Sequence, residues 1–216
     1  MSMNLIGILI GFSASPYVCT AKPAGFAVQT YEILDTVHES DVFVFGSLAC
    51  RAAQTRETLL TLLENANLRV FDVNLRQPYF EKKLLENLLT KADIVKMNDH
   101  ELVILAGWFG AENETPEAQM RALQSLFDLD MLVVTRGGNG AACLSELGYC
   151  ETPGKKVVLR DTIGSGDAFL AGFLSRMLAG ENAAECLRFA NAIGAFVATK
   201  EGGTPLLEEQ EILALQ

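Results

Sequence analysis

From residue 42 onward, short runs rich in Val, Ile and Phe alternate with stretches whose apolar residues recur at helical spacing, and this alternation limits the fold more than any other feature. VFVFGSL (42–48), LRVFDVN (68–74) and DIVKMN (93–98) predict strands. AAQTRETLLTLLENA (52–66), FEKKLLENLLTKA (80–92), DHELVILAG (99–107) and PEAQMRALQSLF (116–127) predict helices. MLVVTRGG (131–138) ends a strand in a glycine turn, and AACLSEL with the residues to Leu159 reads as a small antiparallel excursion. Two helices follow, at about 167–179 and 183–198. WFGAENETP (108–116) is the most polar interruption and reads as a surface loop. Such a pattern predicts an α/β fold with three layers, a mostly parallel sheet covered by helices on both faces.

The chain has 216 residues, enough for one domain with a buried core, and the whole of 1–216 reads as a single domain. Half of the residues are hydrophobic and a fifth are charged, a globular composition. The net charge of −10, with no basic run, argues against nucleic acid or an anionic membrane as partner. Cys19, Cys50, Cys143, Cys150 and Cys186 form no CxxC pair, so free thiols in a reducing cytoplasm are expected. With only His38 and His100, a His-rich metal site is not expected. LIGILIGF (5–12) lacks the basic flank of a signal sequence, the first Lys being Lys22, and reads as a buried strand.

One motif carries chemistry. Residues 161–167 read Asp-Thr-Ile-Gly-Ser-Gly-Asp, directly before a helix. Small residues there let several main-chain N–H groups converge, and the helix N-terminus adds its partial positive charge, so an anion is attracted. Asp167 lies at the mouth of that anion hole, placed to take a proton from an attacking hydroxyl. A helix N-cap is the simpler alternative. In a parallel sheet, ligands bind beyond the carboxyl ends of the strands. Three predicted strands end there in polar residues: Asn74-Leu75-Arg76, Asn98 with Glu101, and Thr135-Arg136-Gly137-Gly138. No GxxxxGK[ST] and no early GxGxxG is present.

DTIGSGDAFLAGF resembles the C-terminal signature of the ribokinase-like (PfkB-type) carbohydrate kinases, in which Ala is more usual at the position of Ser165. FDVNLRQPYF (71–80), KMNDHEL (96–102), TRGGNGA (135–141) and RFANAIGAFVATKEGGTP (188–205) are similar, in order, to further family elements, most like those of fructokinases. The likeness runs over about 41–205 and implies a ribokinase-like core.

The resemblance implies that Asp167 is the base and that the N–H groups of Gly164, Ser165 and Gly166 hold the transferred phosphoryl. It implies that Asn98 and Glu101 organise Mg²⁺ and phosphate through water, and that Thr135, Gly137, Gly138 and Asn191 line ATP. Asp161, with carbonyls near Ile163, Ala198, Glu201 and Gly203, would form a K⁺-type site, and Arg76 and Asn74 would face the sugar. Simpler readings stand beside these. Asp161 would cap a turn, Glu101 would be a solvated helix acid, Arg76 a surface ion pair, and Asn191 an interior Asn bonded to backbone.

Residues 1–40 carry no GGAPAN-like motif, early substrate Asp or β-sheet lid of that family; Ala24-Gly25-Phe26-Ala27 is a faint echo. The lid is therefore expected to be absent or incomplete, the sheet edge open to homodimer formation, and sugar transfer poor. The activity the resemblance implies is ATP-dependent phosphorylation of a sugar's primary hydroxyl, with fructose as the acceptor. The alternatives are a 2-keto-3-deoxygluconate kinase and a catalytically silent nucleotide-binding remnant.

Overall fold

Strands buried on both faces need apolar residues at every position, because successive side chains point to opposite sides. The strand sequences satisfy this at most positions, and the structure shows where each half goes. A computed structural model of the chain describes residues 5–8, 30–76, 78, 80–203, 205–206 and 209–215. Among them, seven strands form one sheet in chain order: β1 (Leu5–Ile8), β2 (Val42–Gly46), β3 (Arg69–Asp72), β4 (Ile94–Asn98), β5 (Met131–Thr135), β6 (Ala141–Ser145) and β7 (Gly148–Thr152). β1 to β5 run parallel, and β6 and β7 return antiparallel.

A sheet that grows in one direction through right-handed crossovers carries all its connecting helices on one face. Those helices are α1 (Thr30–His38), α2 (Ala53–Leu63), α3 (Lys82–Leu89), α4 (Asp99–Trp108) and α5 (Pro116–Phe127). Their Val37, Leu62, Leu88, Leu105 and Leu123 pack with Phe43, Phe45, Phe71, Met97 and Val134 of the strands. Phe45 and Phe71 stack at 5.0 Å between ring centres. The alternate residues Val42, Val44, Val70, Ile94 and Val133 face the other way. They are covered by Phe169 and Phe173 of α6 (Ser165–Leu178) and by Leu187 and Ala190 of α7 (Ala183–Ala198). A short α8 (Glu209–Ala214) sets Ile212 against Phe196 and Val197.

The expected mostly parallel, three-layer fold is present. α5 occupies the expected span, fixed by a Thr115 N-cap that accepts from Ala118 N–H, Pro116 in the first turn, and Asp128 in a left-handed C-cap (φ 54°).

Other boundaries moved for local reasons. β2 stops at Gly46 and a 3₁₀ turn covers Ser47–Cys50. The antiparallel excursion ends at Thr152 rather than Leu159, since Pro153 has no N–H to extend the ladder. The segment 108–116 is not wholly a surface loop: Trp108 and Phe109 pack against the core, and Phe109 meets Phe127 edge-on at 4.9 Å. α1 and α8 carried no expectation from sequence. Of the strand expected at 5–12, residues 5–8 form β1; 9–12, Cys19, Lys22 and Ala24–Ala27 lie outside the described residues. No helix among the described residues is long and apolar enough to cross a membrane.

Phe71 is fully buried at the centre of this packing. Phe71→Ala is expected to cost about 3–5 kcal/mol, read as a lower urea midpoint with an unchanged slope.

Candidate active site

Parallel strands gather their carboxyl ends at one edge, and α6 starts over that edge. Gly164 is the N-cap of α6, with φ of 77°, a conformation that costs little only for glycine. A Cβ there would also collide with the Gly203 carbonyl. The helix therefore begins at Ser165, two residues earlier than its periodicity suggests, and Asp167 falls in its first turn.

Backbone donors at this end are open. Ala168 N–H closes the first helical bond on Gly164 O at 2.8 Å. The N–H groups of Gly164, Gly166 and Asp167 have no hydrogen-bond partner among the described residues. Ser165 departs from its expected part: its N–H bonds to Thr162 O (3.3 Å) and its hydroxyl donates to Gly194 O (3.0 Å). Asp167 N–H thus stands open where that of Ser165 was expected. Desolvation pushes the Asp167 carboxyl above its ordinary value, and repulsion from Asp72 adds to it. The charges of Lys96 and Arg76 pull the other way.

Below α6 lies an ion pair that the sequence did not suggest. Asp72 and Lys96 sit opposite each other in the β3–β4 register. Lys96 Nζ lies 3.1 and 3.2 Å from the two Asp72 oxygens. Both residues are buried, at 2% and 7% exposure. Burial opposes the charge on Lys96, but attraction to Asp72, with Glu101 and Asp167 adding to it, holds the ammonium above the usual lysine value. The available signal was a charged residue inside each of two adjacent apolar strands.

Asn98 and Glu101 meet in a reciprocal capping box at the start of α4. Asn98 Oδ1 accepts from Glu101 N–H at 2.8 Å, and Glu101 Oε2 accepts from Asn98 N–H at 2.8 Å. Glu101 Oε1 accepts from Leu75 N–H at 2.8 Å, tying the loop after β3 to α4. The solvated-acid reading of Glu101 is overturned, because the residue is 5% exposed. Desolvation raises its carboxyl despite these two amide bonds.

Asn74 adopts a left-handed backbone (φ 37°) at the turn after β3, and the adjoining Arg76 is exposed. Thr135 ends β5 with its hydroxyl donating to Met97 O at 3.4 Å, before the Gly137–Asn139 turn that contains Gly138. Asn191 is buried on α7 and donates to Pro153 O at 2.8 Å, which matches the backbone-bonded reading of this residue. Asp161 accepts from Ile163 N–H (2.9 Å) and from Gly202 N–H (3.3 Å), so it caps a turn and joins it to the 201–203 loop. Ala198 O accepts from Arg160 N–H at 2.9 Å. Glu201 is exposed, and its carboxylate faces Arg160 at 3.9 Å. No cluster of three or more His, Cys, Asp or Glu able to hold a metal occurs among the described residues.

The sequence pattern of the pfkB family carbohydrate kinases matches residues 20–210. The chain belongs to that family. Fructokinase-1 of Oryza sativa subsp. japonica is 30% identical over 199 residues, covering 84% of this chain and 60% of that protein. Fructokinase-2 of Solanum habrochaites is 30% identical over 191 residues, covering 81% and 56%. A fructokinase from Vibrio cholerae O395, solved with fructose, ADP and calcium ion, aligns with a TM-score of 0.69 at 26% identity, over 81% of this chain and 60% of that one. The chain thus spans between 56% and 60% of the length of these relatives.

Two measurements check the site's physics. A carboxyl whose pKa is raised by folding contributes stability below its unfolded pKa and loses it as pH rises through the folded value. The ionised Asp167 is therefore a net cost at neutral pH. Asp167→Asn is expected to melt about 1–4 °C above wild type at pH 7, the difference closing as pH falls toward 3.8. Gly164→Ala, which forces a side chain onto the Gly203 carbonyl, is expected to lower the melting temperature by several degrees, on the order of a 1–3 kcal/mol strain.

Proposed function

We propose that this chain transfers the γ-phosphoryl of ATP to a primary hydroxyl of a sugar, with fructose the favoured acceptor. The observation that carries this reading is the set of three unpartnered amides, Gly164, Gly166 and Asp167, around a carboxylate at the start of α6. Membership of a carbohydrate-kinase family supports the reaction class, and the names of its relatives support fructose. Free thiols at Cys50, Cys143, Cys150 and Cys186 fit a reducing cytoplasm.

In this reading Asp167 accepts the proton of the sugar hydroxyl as its oxygen bonds to the γ-phosphorus. The bond from that phosphorus to the bridging oxygen breaks, and its electron pair stays with ADP. The open amides face the oxygens on which charge collects, in a site where fixed dipoles replace water. The raised Asp167 pKa moves the base toward the working pH, where proton transfer is most effective. Thr135, Gly137 and Gly138 lie at the end of β5 as the rim for the nucleotide, with Asn191 beyond them on α7. Arg76 and Asn74 form the sugar side. Mg²⁺, when bound with ATP, would offset phosphate charge near Asn98 and Glu101, and K⁺ beside Asp161 would steady the loop before α6.

A coupled assay of ADP release with and without fructose tests this directly, extended to other hexoses and 2-keto-3-deoxygluconate. Sugar-dependent release is the expected result, with an acid limb of kcat/KM above the ordinary aspartate value of 3.8. Asp167→Asn is expected to lower turnover by about 10²–10⁴-fold with nucleotide affinity nearly unchanged. Asn98→Ala is expected to raise the Mg²⁺ concentration required. Nucleotide binding without transfer to any sugar would assign the chain to the silent alternative instead.

A further inference from the structure

Lys96 is the one buried cation among the described residues, and its place is unusual. An ion pair inside a sheet is a weak source of stability, since desolvation offsets the attraction and an apolar pair would serve as well. Its position points elsewhere. Nζ lies 3.2 Å from the point where a Cβ on residue 166 would stand, so the ammonium touches the first turn of α6 from beneath. The missing side chain of Gly166 leaves that approach open. Asp72 is the only hydrogen-bond partner of Nζ among the described residues, and one carboxylate leaves at least one ammonium proton uncommitted. The surrounding charges are otherwise negative: Asp72, Glu101 and Asp167 all act on Lys96. A phosphoryl group could not settle among three carboxylates on backbone dipoles alone.

We propose that Lys96 is a catalytic residue of the phosphoryl-transfer site: its ammonium, held by Asp72, bonds to the phosphoryl in flight beside the open amides of α6. The proposal rests on the kinase reading above and adds to it the side-chain cation of the anion hole. Lys96 neither gains nor loses a proton. The sugar's proton goes to Asp167, the oxygen–phosphorus bond forms as the bridging bond breaks, and the ammonium meets charge that is greatest midway.

The test separates this from both stability and turnover. ADP affinity is measured by calorimetry with Mg²⁺ and fructose, with and without aluminium fluoride as a mimic of the phosphoryl in transfer. Wild type is expected to bind ADP at least about 10-fold more tightly with fluoroaluminate. Asp72→Leu/Lys96→Met replaces the pair by apolar residues and is expected to fold, verified by its melting curve. It should bind ADP within about threefold of wild type but lose the fluoroaluminate increment, with kcat down by about 10²–10³-fold. Lys96→Gln, which keeps a donor to Asp72 without the charge, should lose the increment too. An increment retained in either folded variant, or absent from wild type, overturns the proposal. Failure of the kinase reading shows separately, as wild type that releases no ADP with any sugar.

Discussion

Right-handed crossovers between strands laid down in one direction impose a lopsided molecule, and the rest of the structure answers that imbalance. Five helices gather on one face of the sheet, leaving Val42, Val44, Val70 and Val133 bare on the other. The chain covers them by reversing through β6 and β7 and returning with α6 and α7. The return has to begin where β7 ends, beside the carboxyl ends of the parallel strands. The N-terminus of α6 is thereby delivered to the edge at which Asp72, Asn98 and Thr135 emerge. Architecture and chemistry share one cause.

The parts legible in sequence are those set by neighbouring residues. α5 was readable because Thr115, Pro116 and Asp128 mark its ends locally. The strands were readable because burial on two faces leaves runs dominated by apolar residues. The glycine turn before α6 was readable as a helix start for the same reason. The pairing of Asp72 with Lys96 was not, since it depends on β3–β4 register across 24 residues of chain. The burial of Glu101 was hidden because an acid in a first helical turn ordinarily faces water, whereas here Leu75 lies across it. The bond from Ser165 N–H to Thr162 O was not readable, because it depends on how the turn closes rather than on composition.

The site also holds a cost in stability. Asp167 and Glu101 are both raised by desolvation, so the fold holds charge where it is costly. The core around it is dense with fully buried Phe and Leu on both faces of the sheet.

The Glu101 carboxylate joins two pieces of chain that are otherwise separate, the turn after β3 and the first turn of α4. Its two oxygens are rigidly related, so neither bond can lengthen far without disturbing the other. The amide hydrogens of Leu75 and Asn98 should consequently trade with deuterated solvent on a common clock, although they stand 23 positions apart in sequence. Whatever settles against the turn holding Asn74 and Arg76 is felt at the N-terminus of α4 by the same rigid coupling, with no shift in the sheet required.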